Sequence, residues 1–242
     1  KSGFEFLIDY DYCTRCGECI PVCRFEAISL IDASDDGEHI PFIDPLACEG
    51  CGCCADVCPV EVISMQEREI GTLYQSSTRF GPMVHARLGV AEENSGKLVT
   101  LVRSKARQIA EENNHAYLLV DGSPGIGCPV ISSISGVNLA VIVTEPTPSG
   151  IHDLERVLEL TAHVGVKTGV IINKFDLNVD QTKAIENFAR EKHVSVLGRI
   201  PFDPIFTKSM VQGKTVFEYD GNSDAALAVK NLWEQVTKEL EI

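Results

Sequence analysis

Basic residues are scarce in this chain. Only 21 of 242 are lysine or arginine against 35 acidic residues, a formal net charge of −14. That surplus argues against binding a phosphate backbone, so no nucleic-acid partner is expected. Long apolar runs are missing too, and none reaches the roughly 20 residues that span a bilayer. No charged-then-apolar stretch of the secretory kind opens the chain, so the expectation is a cytoplasmic protein with reduced thiols. The six histidines (39, 85, 115, 152, 163 and 193) are scattered without metal-ligand spacing and receive no role. A length of 242 residues with ordinary apolar content leaves room for one large or two small domains.

Cysteine, by contrast, is abundant and patterned. Eight of the ten fall into two copies of C-x2-C-x2-C-x3-C: Cys13, Cys16, Cys19, Cys23, and Cys48, Cys51, Cys54, Cys58, the second followed by Pro59. This is the bacterial ferredoxin arrangement for two 4Fe–4S clusters. The copies form an internal repeat at a constant offset of 35 residues, with Gly17/Gly52, Val22/Val57, Glu26/Glu61, Ile28/Ile63 and Ser29/Ser64 coinciding. Three thiolates two residues apart need a tight loop around one corner of the cluster, and glycine permits it. The fourth cysteine of each run reaches the other cluster. One set is therefore Cys13, Cys16, Cys19 and Cys58, and the other is Cys48, Cys51, Cys54 and Cys23. Phe25, Ala27, Ile28 and Val60, Val62, Ile63 are expected to keep water from the sulfurs. Zinc sites favour two separated C-x2-C pairs or mixed Cys/His sets, and disulfides need an oxidising compartment. Arg24 stands where such a motif normally has proline. Cys53 aligns with Glu18 and reads as a non-ligand.

Charge is unevenly distributed. Residues 1–67 hold 14 acidic and 3 basic residues, and residues 68–242 hold 21 and 18. The cysteine module is thus the acidic part, which suits steering toward a redox partner with a basic surface or simply confers solubility. Two domains are expected: 1–67, small, α+β and ferredoxin-like, and 68–242, α/β.

In the second part, apolar strands are expected at Tyr117–Asp121, Leu139–Thr144, Gly169–Asn173 and Val194–Leu197. Helical patterns cover Lys97–Asn113, Ser149–Val164 with Ser149 as N-cap, Asp180–Lys192 and Ser223–Leu240. Such alternation implies a parallel sheet with ligands at the carboxyl ends of its strands. Asp121, closing an apolar strand, has the position of an acid that holds Mg²⁺ against a nucleotide's phosphates. Gly125, in D-x-x-x-G, leaves a backbone N–H open to a terminal phosphate. Asn173-Lys174-Phe175-Asp176 has the N-K-x-D form of a base-recognition loop.

These residues together resemble the MinD/Mrp-type P-loop ATPases with an inserted ferredoxin domain, and more distantly the nitrogenase iron protein. The match is carried by the cysteine runs, DGSPGIGCPVISSISG (121–136), TEPTPSGIHDLERVLEL (144–160), INKFDLN (172–178) and GRIPFD (198–203). The resemblance implies a homodimer formed through the nucleotide face around two ATP molecules, with the D-x-x-x-G segment as a switch. It also implies that Asn173, Pro201 and Asp203 line adenine, so that ATP is favoured over GTP. One element departs from the family. No G-x4-G-K-[ST] occurs, and the nearest run, Ser95-Gly96-Lys97-Leu98, lacks the earlier glycine and the metal-binding hydroxyl. The expectation is an incomplete P-loop NTPase-like domain, first strand and phosphate loop absent, without significant ATPase activity of its own. The simplest account is a fragment of a longer protein, with a natural variant that has lost ATP hydrolysis as the alternative. Cys128 reads as a small buried thiol in a Gly-Cys-Pro turn, with ligation across a dimer axis as the alternative. Three functions stay open: an ATP switch coupled to electron transfer, a cluster or metal delivery factor, and a plain electron carrier.

Overall fold

The 35-residue repeat governs how the first part of the chain folds. The computed structural model describes residues 3–32, 39–68, 71–89 and 96–240. Strand β1 (Gly3–Ile8) precedes the first cysteine run and β2 (Ile28–Asp32) follows it. Strand β3 (His39–Ile43) precedes the second run and β4 (Ile63–Arg68) follows it, with the short helix α1 (Cys53–Asp56) inside the run. Pairing is crossed: β1 lies antiparallel to β4, and β2 to β3. Ile8 pairs with Ile63 and Ile43 with Ile28, so one ladder maps onto the other by the repeat offset. Two-stranded ladders are marginal by themselves. These two share one apolar core of Phe6, Ile8, Cys19, Ile28, Ile43, Cys54 and Ile63.

A ribbon follows, β5 (Gly71–Thr78) against β6 (Gly81–Leu88), which the sequence reading did not anticipate. Its two-residue loop is Arg79-Phe80, without the Asn-Gly or Asp-Gly signature of a tight hairpin. Helix α2 (Gly96–Glu112) buries Leu98 and Ile109. Lys97, at its start, holds its ammonium 5.0 Å from the Phe4 ring centroid. The weak Ser95-Gly96-Lys97 run is thus a helix start, and Ser95 itself lies outside the described residues.

The chain separates into two compact units, Lys1–Leu119 and Val120–Ile242. The ribbon and α2 fall in the first unit. The second unit contains α3 (Cys128–Ile134), β7 (Ala140–Thr144), α4 (Pro148–Val164), β8 (Thr168–Asn173), a single 3-10 turn (Phe175–Leu177) and α5 (Val179–Glu191). It continues through β9 (Ser195–Ile200), α6 (Ile205–Val211), α7 (Val216–Asp220) and α8 (Asp224–Leu240). Among the described residues the sheet is parallel, in the order β7-β8-β9. Leu154 and Leu158 of α4 and Ile185 of α5 pack on Val170 and Ile172 of β8. Leu232 of α8 packs on Ile171 and Leu197 from the other face. Helices thus cover both faces, as a buried apolar sheet requires.

Two expectations are corrected. Tyr117–Asp121 does not form a strand, and Leu119 is 78% exposed. A strand persists only with a neighbour to pair with, and the described sheet begins at β7. The N-cap of α4 is Thr147, whose Oγ1 accepts the Gly150 N–H, and not Ser149. Pro148 at the first helical position has no N–H to satisfy, so the helix begins there.

Candidate cluster cavities and nucleotide face

The crossed ladders bring the end of each cysteine run beside the start of the other. Two cavities result. One is lined by Cys13, Cys16, Cys19 and Cys58 together with Ile8, Pro41, Val62 and Ile63. The other is lined by Cys48, Cys51, Cys54 and Cys23 together with Phe6, Ala27, Ile28 and Ile43. Gly17 and Gly52, with φ of 76° and 85°, take the left-handed turns that let the first three thiols of each run face inward. Glu26 and Glu61 repeat one another at φ of 52° and 53° and turn the chain into β2 and β4.

All ten cysteines are free thiols. Among the described residues, no three His, Cys, Asp or Glu side chains converge as a single-ion site. The thiols therefore surround a volume and do not focus on one point, as zinc would demand. An all-sulfur donor set around an apolar cavity fits an iron–sulfur cluster. Burial pushes the Cys54 thiol up to about 11, with Cys48 beside it adding to the effect, and burial likewise raises Cys19. Loading such a site must therefore displace protons from the buried thiols. Water exclusion differs in part from expectation. Ala27, Ile28 and Ile63 are buried, whereas Phe25 and Val60 line the cavities with their outer parts in solvent. The missing cover comes from Phe6, Ile8, Pro41 and Ile43, which precede the cysteine runs. The repeat offset could have identified them, because β1 aligns with β3. Cys53 lines the second cavity.

In the second unit, the carboxyl ends of β7, β8 and β9 carry one linked set of residues. Lys174 adopts the left-handed conformation at φ 52°, unusual for a residue with a side chain. Its Nζ lies 2.7 Å from Glu145 Oε1, just beyond β7, and Asn173 Nδ2 lies 3.4 Å from the same oxygen. Asp176 Oδ1 accepts the Phe202 N–H at 2.7 Å, joining the loop after β8 to the loop after β9. Thr182 Oγ1 donates to the Phe175 carbonyl at 2.7 Å and ties the turn to α5. Asp203 Oδ1 accepts the Ile205 N–H and shapes the entry to α6. The structure thus gathers Asn173, Pro201 and Asp203 at one sheet end. Glu145, the hub of the ion pair, was legible only as part of TEPTPSG. Asp121 is exposed, and Gly125 has φ 88° with open space where a Cβ would stand. Cys128 is a correction: it is exposed at the start of α3, not a buried thiol, because the irregular segment 121–127 that leads into the helix is itself largely exposed.

Residues 12–62 match the 4Fe-4S dicluster domain family, and residues 100–237, more than half of the chain, match the ParA family described as NUBPL iron-transfer P-loop NTPase. An uncharacterized protein of Methanocaldococcus jannaschii is 33% identical over 226 residues, covering 93% of this chain and 72% of the relative. The chain belongs to the NUBPL-type P-loop NTPase family and carries a dicluster iron–sulfur domain. A homologue of the cytosolic Fe-S cluster assembly factor NUBP2 from Trichoplax adhaerens is 29% identical over 131 residues, 48% of this chain and 49% of that protein. Several relatives are therefore spanned over only about half of their length. The MinC:MinD cell division complex of Aquifex aeolicus matches with a TM-score of 0.53 at 20% identity, covering 68% of this chain and 66% of that one. The Pyrococcus furiosus cell division ATPase MinD matches with a TM-score of 0.50 at 22% identity, covering 60% and 59%. These two likenesses establish the MinD-like fold. Among the described residues no helix is long and apolar enough to cross a membrane.

Proposed function

We propose that the module of residues 3–68 keeps two 4Fe–4S clusters as resident groups and relays single electrons, under the control of an adenine-nucleotide switch in the second unit. The observation that carries this is the lining of the two cavities. Each cavity takes three thiols from one cysteine run and the fourth from the other. Cys13, Cys16, Cys19 and Cys58 would hold one cluster, and Cys48, Cys51, Cys54 and Cys23 the second. Bound there, the clusters supply one-electron reduction and oxidation. Cys19 and Cys54 also belong to the module's apolar core, so surrendering a cluster would open that core. Phe6, Ile8, Pro41 and Ile43 exclude water, and the surrounding acidic surface favours a redox partner with a basic face.

On the second unit, Asp121 and Gly125 would serve the phosphate side, with Asp121 as the carboxylate that would hold Mg²⁺ and Gly125 leaving its backbone N–H open to a phosphate. Asn173, Pro201 and Asp203 serve the base. Two copies facing each other through this surface form the switching dimer. With no G-x4-G-K-[ST] in its sequence, the chain provides no lysine for phosphoryl transfer and hydrolyses no ATP by itself. Ten free thiols suit a reducing compartment such as the cytoplasm.

A second reading, cluster delivery, is favoured by the family's iron-transfer description and the assembly-factor relatives. One experiment separates the two. The reconstituted protein is titrated reductively by EPR, with and without ADP, then mixed with an apo-acceptor and re-purified. Reversible reduction with iron retained supports the relay. Iron leaving stoichiometrically for the acceptor establishes delivery and overturns the relay.

A further inference from the structure

Five thiols line the second cavity, although a four-iron cluster takes four. Cys53 is the fifth, on the same wall as Cys51 and Cys54. The repeat supplies an internal control. At the position equivalent to Cys53, the first cavity is lined by Glu18, so four thiols surround it. A carboxylate suits harder ions, whereas a thiolate suits an iron–sulfur cluster. The second cavity therefore has a spare donor of the right kind, and the first has not. The loops differ as well. Cys51 stands between Gly50 and Gly52, both left-handed at φ 67° and 85°. The matching Cys16 follows Arg15, which takes φ 58° and donates its N–H to Cys13 Sγ at 3.4 Å. Glycine on both sides gives Cys51 the freer backbone. Cys53, by contrast, opens α1, where its carbonyl accepts the Val57 N–H at 3.3 Å and the Gly52 carbonyl accepts the Ala55 N–H at 2.9 Å. Cys51 is also the exposed thiol of its set, as Cys16 is of the other, and exposed thiols are the ones that oxidants reach first.

We propose that Cys53 is a reserve ligand of the second cavity and takes over from Cys51 when that thiol is lost. The proposal rests on the cluster reading above. The exchange changes no oxidation state. Cys53 gives up its proton and forms a sulfur–iron bond, while the sulfur–iron bond of Cys51 breaks and its thiolate takes up a proton. The two thiols are separated by Gly52 alone, so the loop between β3 and α1 need change only locally. The second site then survives loss of its exposed ligand. The first site, with Glu18 in place of the spare thiol, does not. The two halves of the repeat, alike in fold, are thus unequal in how firmly they keep their iron.

The test compares the reconstituted whole chain as wild type, Cys53→Ala, Cys51→Ala, Cys16→Ala and the double variant Cys51→Ala/Cys53→Ala. Alanine is used because a serine hydroxyl could itself bind iron. Iron and sulfide are measured, and EPR of the oxidised protein reveals any cluster that has lost a corner iron, since intact four-iron clusters are silent in that state. Cys53→Ala and Cys51→Ala should match wild type in iron and stay silent. Cys16→Ala and the double variant should each lose at least about an eighth of the iron, one atom from two four-iron clusters, and show the three-iron signal. Equal loss in Cys51→Ala and the double variant overturns the proposal and leaves Cys53 a half-buried thiol without a role. Full retention in the double variant also overturns it, because three thiols would then suffice. Iron lost from Cys53→Ala alone would make Cys53 a resident ligand, again against the proposal. A wild-type protein that takes up no iron sinks the cluster reading and the reserve role with it, and that outcome is seen before any variant is made.

Discussion

Gly150→Ala has an outcome that can be worked from the geometry of the β7–α4 turn. An added Cβ would stand 2.3 Å from the Glu145 carbonyl oxygen and 3.1 Å from both Thr144 Oγ1 and Thr147 Oγ1. The first distance is about 1 Å short of an ordinary contact at 3.4 Å, and the obstructing atom is backbone that cannot rotate away. Relief requires the start of α4 to move off β7. That strains the N-cap bond from Gly150 N–H to Thr147 Oγ1 and the bond from Thr144 Oγ1 to the Gly150 carbonyl, both 3.0 Å. Each bond contributes about 1 kcal/mol, and overpacking adds about 1–3 kcal/mol. Alanine's better helix propensity returns roughly 1 kcal/mol. The expected net loss is about 2–4 kcal/mol, a large fraction of a domain's stability of roughly 5–15 kcal/mol. Urea unfolding followed by fluorescence reads this unit specifically, because Trp233 of α8 is the single tryptophan. Gly122→Ala is the control, since its Cβ would meet only Ser133 Oγ at 3.6 Å. A Gly150→Ala protein within about 0.5 kcal/mol of wild type would refute the reasoning. The same displacement would carry Glu145 away from Asn173 and Lys174, so nucleotide affinity should fall with stability.

Two further outcomes are expected. If ligands are shared as the cavities suggest, Cys58→Ser and Cys13→Ser strike one cluster, so the double variant should lose no more iron and sulfide than either single variant. Cys58→Ser with Cys48→Ser should lose both clusters, and iron analysis showing the same residual content in the two doubles would disprove the sharing. Lys167 holds Glu239 through its side chain at 2.9 Å and through its backbone carbonyl at 2.6 Å, fastening α8 to the start of β8. The Lys167 hydrogen bond lowers the Glu239 carboxyl below its ordinary value. A lowered carboxylate stabilises the fold above its unfolded pKa and loses that effect as pH falls through the folded one. Lys167→Met should therefore cost roughly 0.5–1 kcal/mol at pH 7 in urea unfolding. The deficit should shrink but not vanish below about pH 4, where only the carbonyl contact survives. A deficit independent of pH would show that the carboxylate plays no part.

The elements most legible in the sequence are those decided locally. β8 and β9 were readable because Gly169–Asn173 and Val194–Leu197 are short apolar runs between turn residues, and both strands form with bounds shifted by only a few positions. The repeat was readable because it is a matter of spacing. The ribbon was not, because Arg79-Phe80 is an untypical turn and its strands alternate weakly. Tyr117–Asp121 reads as strongly as any strand, but pairing is a property of neighbours. Glu145 and Asp176 carry no local mark of the partners that give them their roles, since those partners lie 28 and 26 residues away.

The sequence by itself determined the chemistry of the cysteine module and the α/β order of the second part. Both follow from residue spacing and from apolar period, which act within a few residues of chain. Tertiary structure decided what those residues meet. Crossed pairing of β1 with β4 and β2 with β3 sends Cys58 and Cys23 to opposite cavities. Packing at the sheet end turns an aspartate of a familiar motif into a brace for the next loop. It also leaves Cys128 in solvent. Hydrogen bonds and burial depend on which segments fold against each other, and that is settled only when the chain closes on itself.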